Sequence, residues 1–152
     1  MTAHHLLLFL HILAVVVWVG GMAFAYMCLR PAASVLPPPL RLGLWVGVLS
    51  RFFTLVWIAI AIILISGLWM LFSVGVVGAP KAWIWMAASG SVMMLIFVTL
   101  WIGPWGRIKA GVAAEDWPAA AMALNAIRQR VGINVILGVI TIAIATLGPG
   151  WS

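Results

Sequence analysis

Between Arg51 and Lys81 the chain reads FFTLVWIAIAIILISGLWMLFSVGVVGAP, residues 52–80, 29 positions without a charge. A helix crosses hydrocarbon in ~20 apolar residues, so this stretch holds a membrane span and the turn that follows it. Outward from it the pattern recurs: residues 1–29, 82–106 and 131–152 also lack Lys, Arg, Asp and Glu. The sequence therefore predicts an all-α fold, an integral membrane four-helix bundle of up-down topology. Its spans fall at about residues 5–28, 52–72, 82–102 and 131–147. Composition agrees, because 66% hydrophobic and 7% charged residues leave too little polar surface for a core surrounded by water.

The connections carry the orientation signal. The first and third hold Arg30, Arg41, Arg51, Arg107, Lys109, Arg128 and Arg130, and the second holds only Lys81. The positive-inside rule places the two basic connections in the cytoplasm and both termini on the extracytoplasmic side of a bacterial-type inner membrane. A net charge of +6 then faces anionic lipid headgroups, which makes the bilayer the partner and argues against nucleic acid. The first apolar segment reads as a retained helix, since it has no basic start, no A-x-A site and more length than a signal peptide core. Cys28 is the single cysteine and excludes an intrachain disulfide. The whole of 1–152 reads as one transmembrane domain.

Local signals place the breaks. The first helix is expected to stop before Arg30-Pro31, where proline cannot continue it, and Leu36-Pro37-Pro38-Pro39 forms a stiff turn. Residues 40–50 suit a helix at the inner interface that runs on into the second span. Gly75, Gly78 and Pro80 make the outer turn, and Gly103-Pro104 ends the third span. Asp116 caps a cytoplasmic helix, about 117–130, with Trp117 and Pro118 in its first turn, which flows into the fourth span. Trp69, Trp83, Trp85 and Trp151 fall near outer ends; Trp45, Trp57, Trp101, Trp105 and Trp117 fall near inner ones, as indoles in interfacial belts do. Trp18 alone is mid-membrane and is expected to face the bundle. Gly20-Gly21 and residues 87–91 permit close helix approach.

Ionisable groups are costly in hydrocarbon, and His11 is the one placed clearly there. His4 lies seven residues before it, so the two differ by ~20° in direction and ~10 Å in height. Trp18 and Met22 continue that face, whereas His5 points ~100° away from His4. Imidazole suits copper, zinc and haem iron, and thioether suits Cu(I). His4, His5, His11 and Met22 are thus the candidate metal ligands, too far apart to hold one ion without partners from other helices. With Met1 removed, Thr2-Ala3-His4 would also offer a square-planar nitrogen site for Cu(II). The plainer readings are interfacial roles for His4 and His5 and a structural hydrogen bond to a neighbouring helix for His11. Asn134 either bonds another helix or touches a cofactor. Lys81 either snorkels to headgroups or holds an anionic propionate or substrate over the histidine end. Ser66, Thr99 and Thr141 are expected to satisfy themselves on their own helices. No glycine-rich phosphate loop, H-E-x-x-H, CxxC pair or nucleophile elbow occurs, so any enzymatic chemistry would come from a bound cofactor.

Leu10-His11-Ile12-Leu13-Ala14, then Trp18-Val19-Gly20-Gly21-Met22 and Leu29-Arg30-Pro31-Ala32, resemble the first helix of the copper resistance protein D (CopD)-like membrane proteins. Arg51-Phe52-Phe53, Ser66-Gly67-Leu68-Trp69, Met93-Met94-Leu95-Ile96-Phe97, Gly103-Pro104, Asp116-Trp117-Pro118, Ile127-Arg128, Asn134 and Leu137-Gly138 are similar to later parts of that family, in the same order. The resemblance implies copper handling, binding or transport, at an inner membrane, with His11 as the counterpart of the family's first-helix histidine. The broader superfamily includes HemJ-type protoporphyrinogen oxidases, which implies as an alternative a haem b-binding redox protein acting on a porphyrin or quinone. In that case His11 would be the axial ligand, with Lys81, Trp18 and Asn134 as further cofactor-binding candidates. The second, third and fourth spans contain no histidine, so a bis-histidine haem within one chain is ruled out. A homodimer would restore paired histidines by symmetry. The third alternative is a non-catalytic membrane assembly subunit.

Overall fold

The computed structural model describes residues 3–75 and 78–148. Trp151, and the Thr2 required by the amino-terminal copper arrangement, lie outside the described residues. Helix α1 (Ala3–Phe24), a π-helical segment (Ala25–Leu29) and α2 (Arg30–Ala33) form one rod. Helix α3 (Pro38–Val74) returns beside it, followed by α4 (Lys81–Ile102), α5 (Pro104–Ala113) and α6 (Trp117–Leu147). Four helical runs of 31, 37, 33 and 31 residues result, each long and apolar enough to cross a membrane. Fewer than a third of the residues in each apolar stretch are buried in the bundle. Large side chains such as Ile102 and Phe72 point outward instead, as lipid-facing positions do. The protein is an all-α, multi-pass membrane protein.

The first rod does not stop before Arg30-Pro31. The Arg30 N–H donates to the carbonyl of Ala25, five residues back, so the helix is widened by one residue directly ahead of the proline. Pro31 can neither donate to a regular helical ladder nor tolerate the carbonyl four residues before it, and a π-turn opens the ladder at that place. The rod then ends at the 34–37 turn, where Ser34 bonds the Pro31 carbonyl through both its backbone N–H, at 3.1 Å, and its hydroxyl, at 2.6 Å. Helix α3 begins on Pro38 and contains the whole of 40–50 without a break.

Gly103-Pro104 ends α4 at Ile102, as expected, and a further helix begins at once. Gly103 leaves the helical region (φ −103°, ψ −92°), and Pro104 then starts α5 at a position where its missing N–H costs nothing. Asp116 caps α6 by accepting a hydrogen bond from the Ala119 N–H at 3.0 Å. Helices α5 and α6 thus form a hairpin of close backbones: a Cβ on Gly111 would lie 2.9 Å from the Ala120 nitrogen.

Phe53, Val56, Leu100, Ile108 and Ile127 form the buried centre. Aromatic rings fill much of it, with Phe53 edge-on to Phe97 at 5.4 Å and to Trp105 at 5.1 Å between centroids. Trp45 and Trp105 are buried, so these two indoles are packing units rather than members of a lipid-facing belt. Trp18 is also inside the bundle, edge-on to Phe97.

Candidate functional site

His11 projects from α1 onto α3, where two small residues receive it. Its Nδ1 lies 2.8 Å from the hydroxyl of Ser66, which is 1% exposed. Beside it, a Cβ on Gly67 would approach the His11 Cε1 at 3.3 Å, so the missing side chain makes room for the imidazole. The same Ser66 hydroxyl lies 2.5 Å from the Ile62 carbonyl. A carbonyl only accepts, so the single hydroxyl proton goes to Ile62 and the Ser66 oxygen accepts from the His11 Nδ1–H. The neutral ring then carries its lone pair on Nε2. That is the arrangement in which a metal-ligating histidine is oriented by a bond from its other nitrogen.

His4 and His5 are exposed at the start of α1, about two turns from His11. The His4 ring sits 6.3 Å from the ring of Trp69 on α3 and 6.0 Å from His5, edge to face. Adjacent helical positions diverge at their Cβ atoms, yet these two rings meet. His5 therefore adjoins His4 through its ring. Lys81, the first residue of α4, is exposed at the same end of the bundle.

The remaining candidates lie deeper and apart. Trp18 is 3% and Met22 2% exposed, packed within the core. Met22 is 18 positions from His4, roughly 27 Å along the rod, so the two share no ion. Asn134 donates from Nδ2 to the Met93 carbonyl at 3.1 Å, which ties α6 to α4, while its buried Oδ1 has no partner among the described residues. Among the described residues no three of His, Cys, Asp and Glu gather into a metal cluster. The three histidines line one end of the bundle and form no closed cage with other His, Cys, Asp or Glu among the described residues.

Ser66 is the participant that sequence reasoning missed. It does bond its own helix, as expected, but it also fixes His11. Folding the chain about the 34–37 turn brings the start of α1 within about two turns of the Ser66-Gly67 pair, and a small-polar pair opposite an intramembrane histidine is the signal available.

The chain matches the family model described as copper resistance protein D over residues 46–147. No match is found among curated proteins or among solved structures. The matched part holds Ser66, Gly67, Lys81, Met93 and Asn134, and the rod with the three histidines precedes it. Spanning about two thirds of the 152 residues and three of the four membrane-crossing runs, this match makes the chain a member of the copper resistance protein D family.

Proposed function

We propose that the protein handles copper at the histidine end of the bundle, as cargo received from the extracytoplasmic side of a bacterial-type inner membrane. His4 and His5 make the first contact there, and His11 offers Nε2 as a deeper ligand. The observation that carries this reading is the Ser66 contact. A hydroxyl oxygen that accepts a hydrogen bond from the Nδ1–H of a half-buried imidazole leaves the Nε2 lone pair as a metal ligand. Family membership supplies the metal, since the family description names copper. Copper in its reduced form accepts low coordination by nitrogen and thioether, which suits single stops better than zinc's four-ligand cage does. A second copy of the chain, paired at the same end, would supply further imidazoles.

The test is copper quantification on the purified full chain, with competition against a Cu(I) chelator, together with copper tolerance of cells carrying each variant. His11→Ala is expected to lower copper retention and change tolerance, and the double change of His4→Ala and His5→Ala to slow loading. Unchanged copper content and tolerance in His11→Ala would remove the proposal.

A further inference from the structure

The opposite end of the bundle gathers three arginines from three helices around one cavity. Arg30 of α2, Arg41 in the first turn of α3 and Arg128 of α6 line an open space of about 450 Å³, with Tyr26 and Ser34 on the same wall. Arg30 stacks over Tyr26, 5.2 Å from the ring centroid, and Arg128 over Trp45 at 5.7 Å. Stacking holds a guanidinium plane in place while its N–H edges stay available as donors. The Arg128 Nε is buried without a hydrogen-bond partner among the described residues.

Among the described residues no carboxylate stands in this cavity as a counter-charge. The ionisable groups that act on Arg128 are Arg30, Arg41 and Tyr26, with no carboxylate among them. The two acidic side chains, Glu115 and Asp116, are exposed in the turn after α5, and Asp116 is engaged as a cap. Three like charges converging on a cavity repel one another until an anion enters. Backbone geometry assists: the π-helical segment carries Tyr26, and Gly132 of α6 lets that ring approach, since a Cβ there would lie 3.3 Å from Tyr26 Cε2. Arg30 directly follows the first charge-free stretch, the depth at which a span meets headgroups.

We propose that this arginine cavity binds a phosphate group, presented either by the headgroup of an acidic phospholipid or by a soluble phosphate. A planar guanidinium donates two parallel N–H bonds to two oxygens of a phosphate, and guanidiniums arriving from three helices suit an anion that carries several acceptor oxygens. The inference does not depend on the copper reading, because it uses neither the histidines nor their end of the bundle.

Two arms distinguish the sources. Full-length protein in detergent is incubated with phosphatidylglycerol or phosphatidylcholine and its bound lipid counted by native mass spectrometry. In parallel, melting is followed with inorganic phosphate against chloride at equal ionic strength. Wild type should retain phosphatidylglycerol over phosphatidylcholine, with a loss of about fivefold or more in Arg41→Gln and Arg128→Gln and none in Arg51→Gln, which lies outside the cavity. Stabilisation by inorganic phosphate without lipid preference, lost in the same variants, assigns the site to the soluble anion. Arg30→Gln, whose side chain is exposed, repeats the test should Arg128→Gln fold poorly. Equal lipid retention and equal phosphate response in wild type and in the cavity variants overturn the proposal.

Discussion

Ser66 and Asn134 are both buried polar residues on spans, and the structure gives them different work. Ser66 accepts from His11 across the α1–α3 contact while donating within α3. Ser66→Ala removes the acceptor and frees the imidazole to change tautomer, so copper retention should fall about tenfold, as losses of an orienting partner do. The melting temperature should change little, since Ser66 keeps neither helix together alone; unchanged copper affinity in a chelator competition would contradict the tautomer argument. Asn134 instead ties α6 to the Met93 carbonyl. Asn134→Leu gives up a bond of ~0.6 kcal/mol and also removes the unpaired Oδ1, so stability should stay within about 1 kcal/mol of wild type. Copper handling should be unaffected, and its loss at unchanged stability would make Asn134 a ligand-contacting residue. At this scale the sequence was half legible. His11 stands out because a titratable group in hydrocarbon is rare, whereas Ser66 does not, since serine on a membrane helix commonly bonds its own backbone.

The helices themselves were readable where hydrophobicity dictates them and opaque where backbone geometry does. Charge-free runs mark every span, and Asp116 followed by Trp117-Pro118 announces the start of α6. Pro31 misleads because a proline ends a helix only when the ladder cannot adjust. Here a π-turn, which leaves no mark in composition, carries the rod through to Ala33. Gly103-Pro104 does stop α4, but the same proline also opens α5, since it is welcome at the first turn of a new helix. That α5 packs against α6 through Gly111 can be tested against its neighbour Gly106, which has nothing within 4 Å of a built Cβ. Gly106→Ala should stabilise by about 0.5–1 kcal/mol through helix propensity. Gly111→Ala should instead destabilise by ~1–3 kcal/mol, because its methyl would meet the Ala120 backbone, which cannot rotate away. Thermal melting of the two variants in the same detergent decides this, and a gain at Gly111 equal to that at Gly106 would show the two helices to be separable.

For the molecule as a whole, charge asymmetry joins the two ends into one argument. Seven of the eight Lys and Arg side chains lie toward the arginine end, and Lys81 is the single Lys or Arg at the histidine end. Insertion favours the orientation that keeps the Lys- and Arg-rich short connections in the cytoplasm, so the histidines should face outward and the arginine cavity inward. The exposed Ala114, in the turn between α5 and α6, and Lys81, at the start of α4, report the two sides without touching either site. In a Cys28→Ser background, Lys81→Cys should react with a membrane-impermeant maleimide added to intact spheroplasts, and Ala114→Cys only after the membrane is inverted or opened. Lys81→Cys also removes the one Lys or Arg of its end, so Ile84→Cys one turn further on serves as a second outward reporter with Lys81 intact. Labelling of Ala114→Cys from outside, with Lys81→Cys and Ile84→Cys protected, would turn the bundle over. The proposed copper ligands His4 and His5 would then face the cytosol, the arginine cavity would face outward, and the proposal that copper is received from outside would fall.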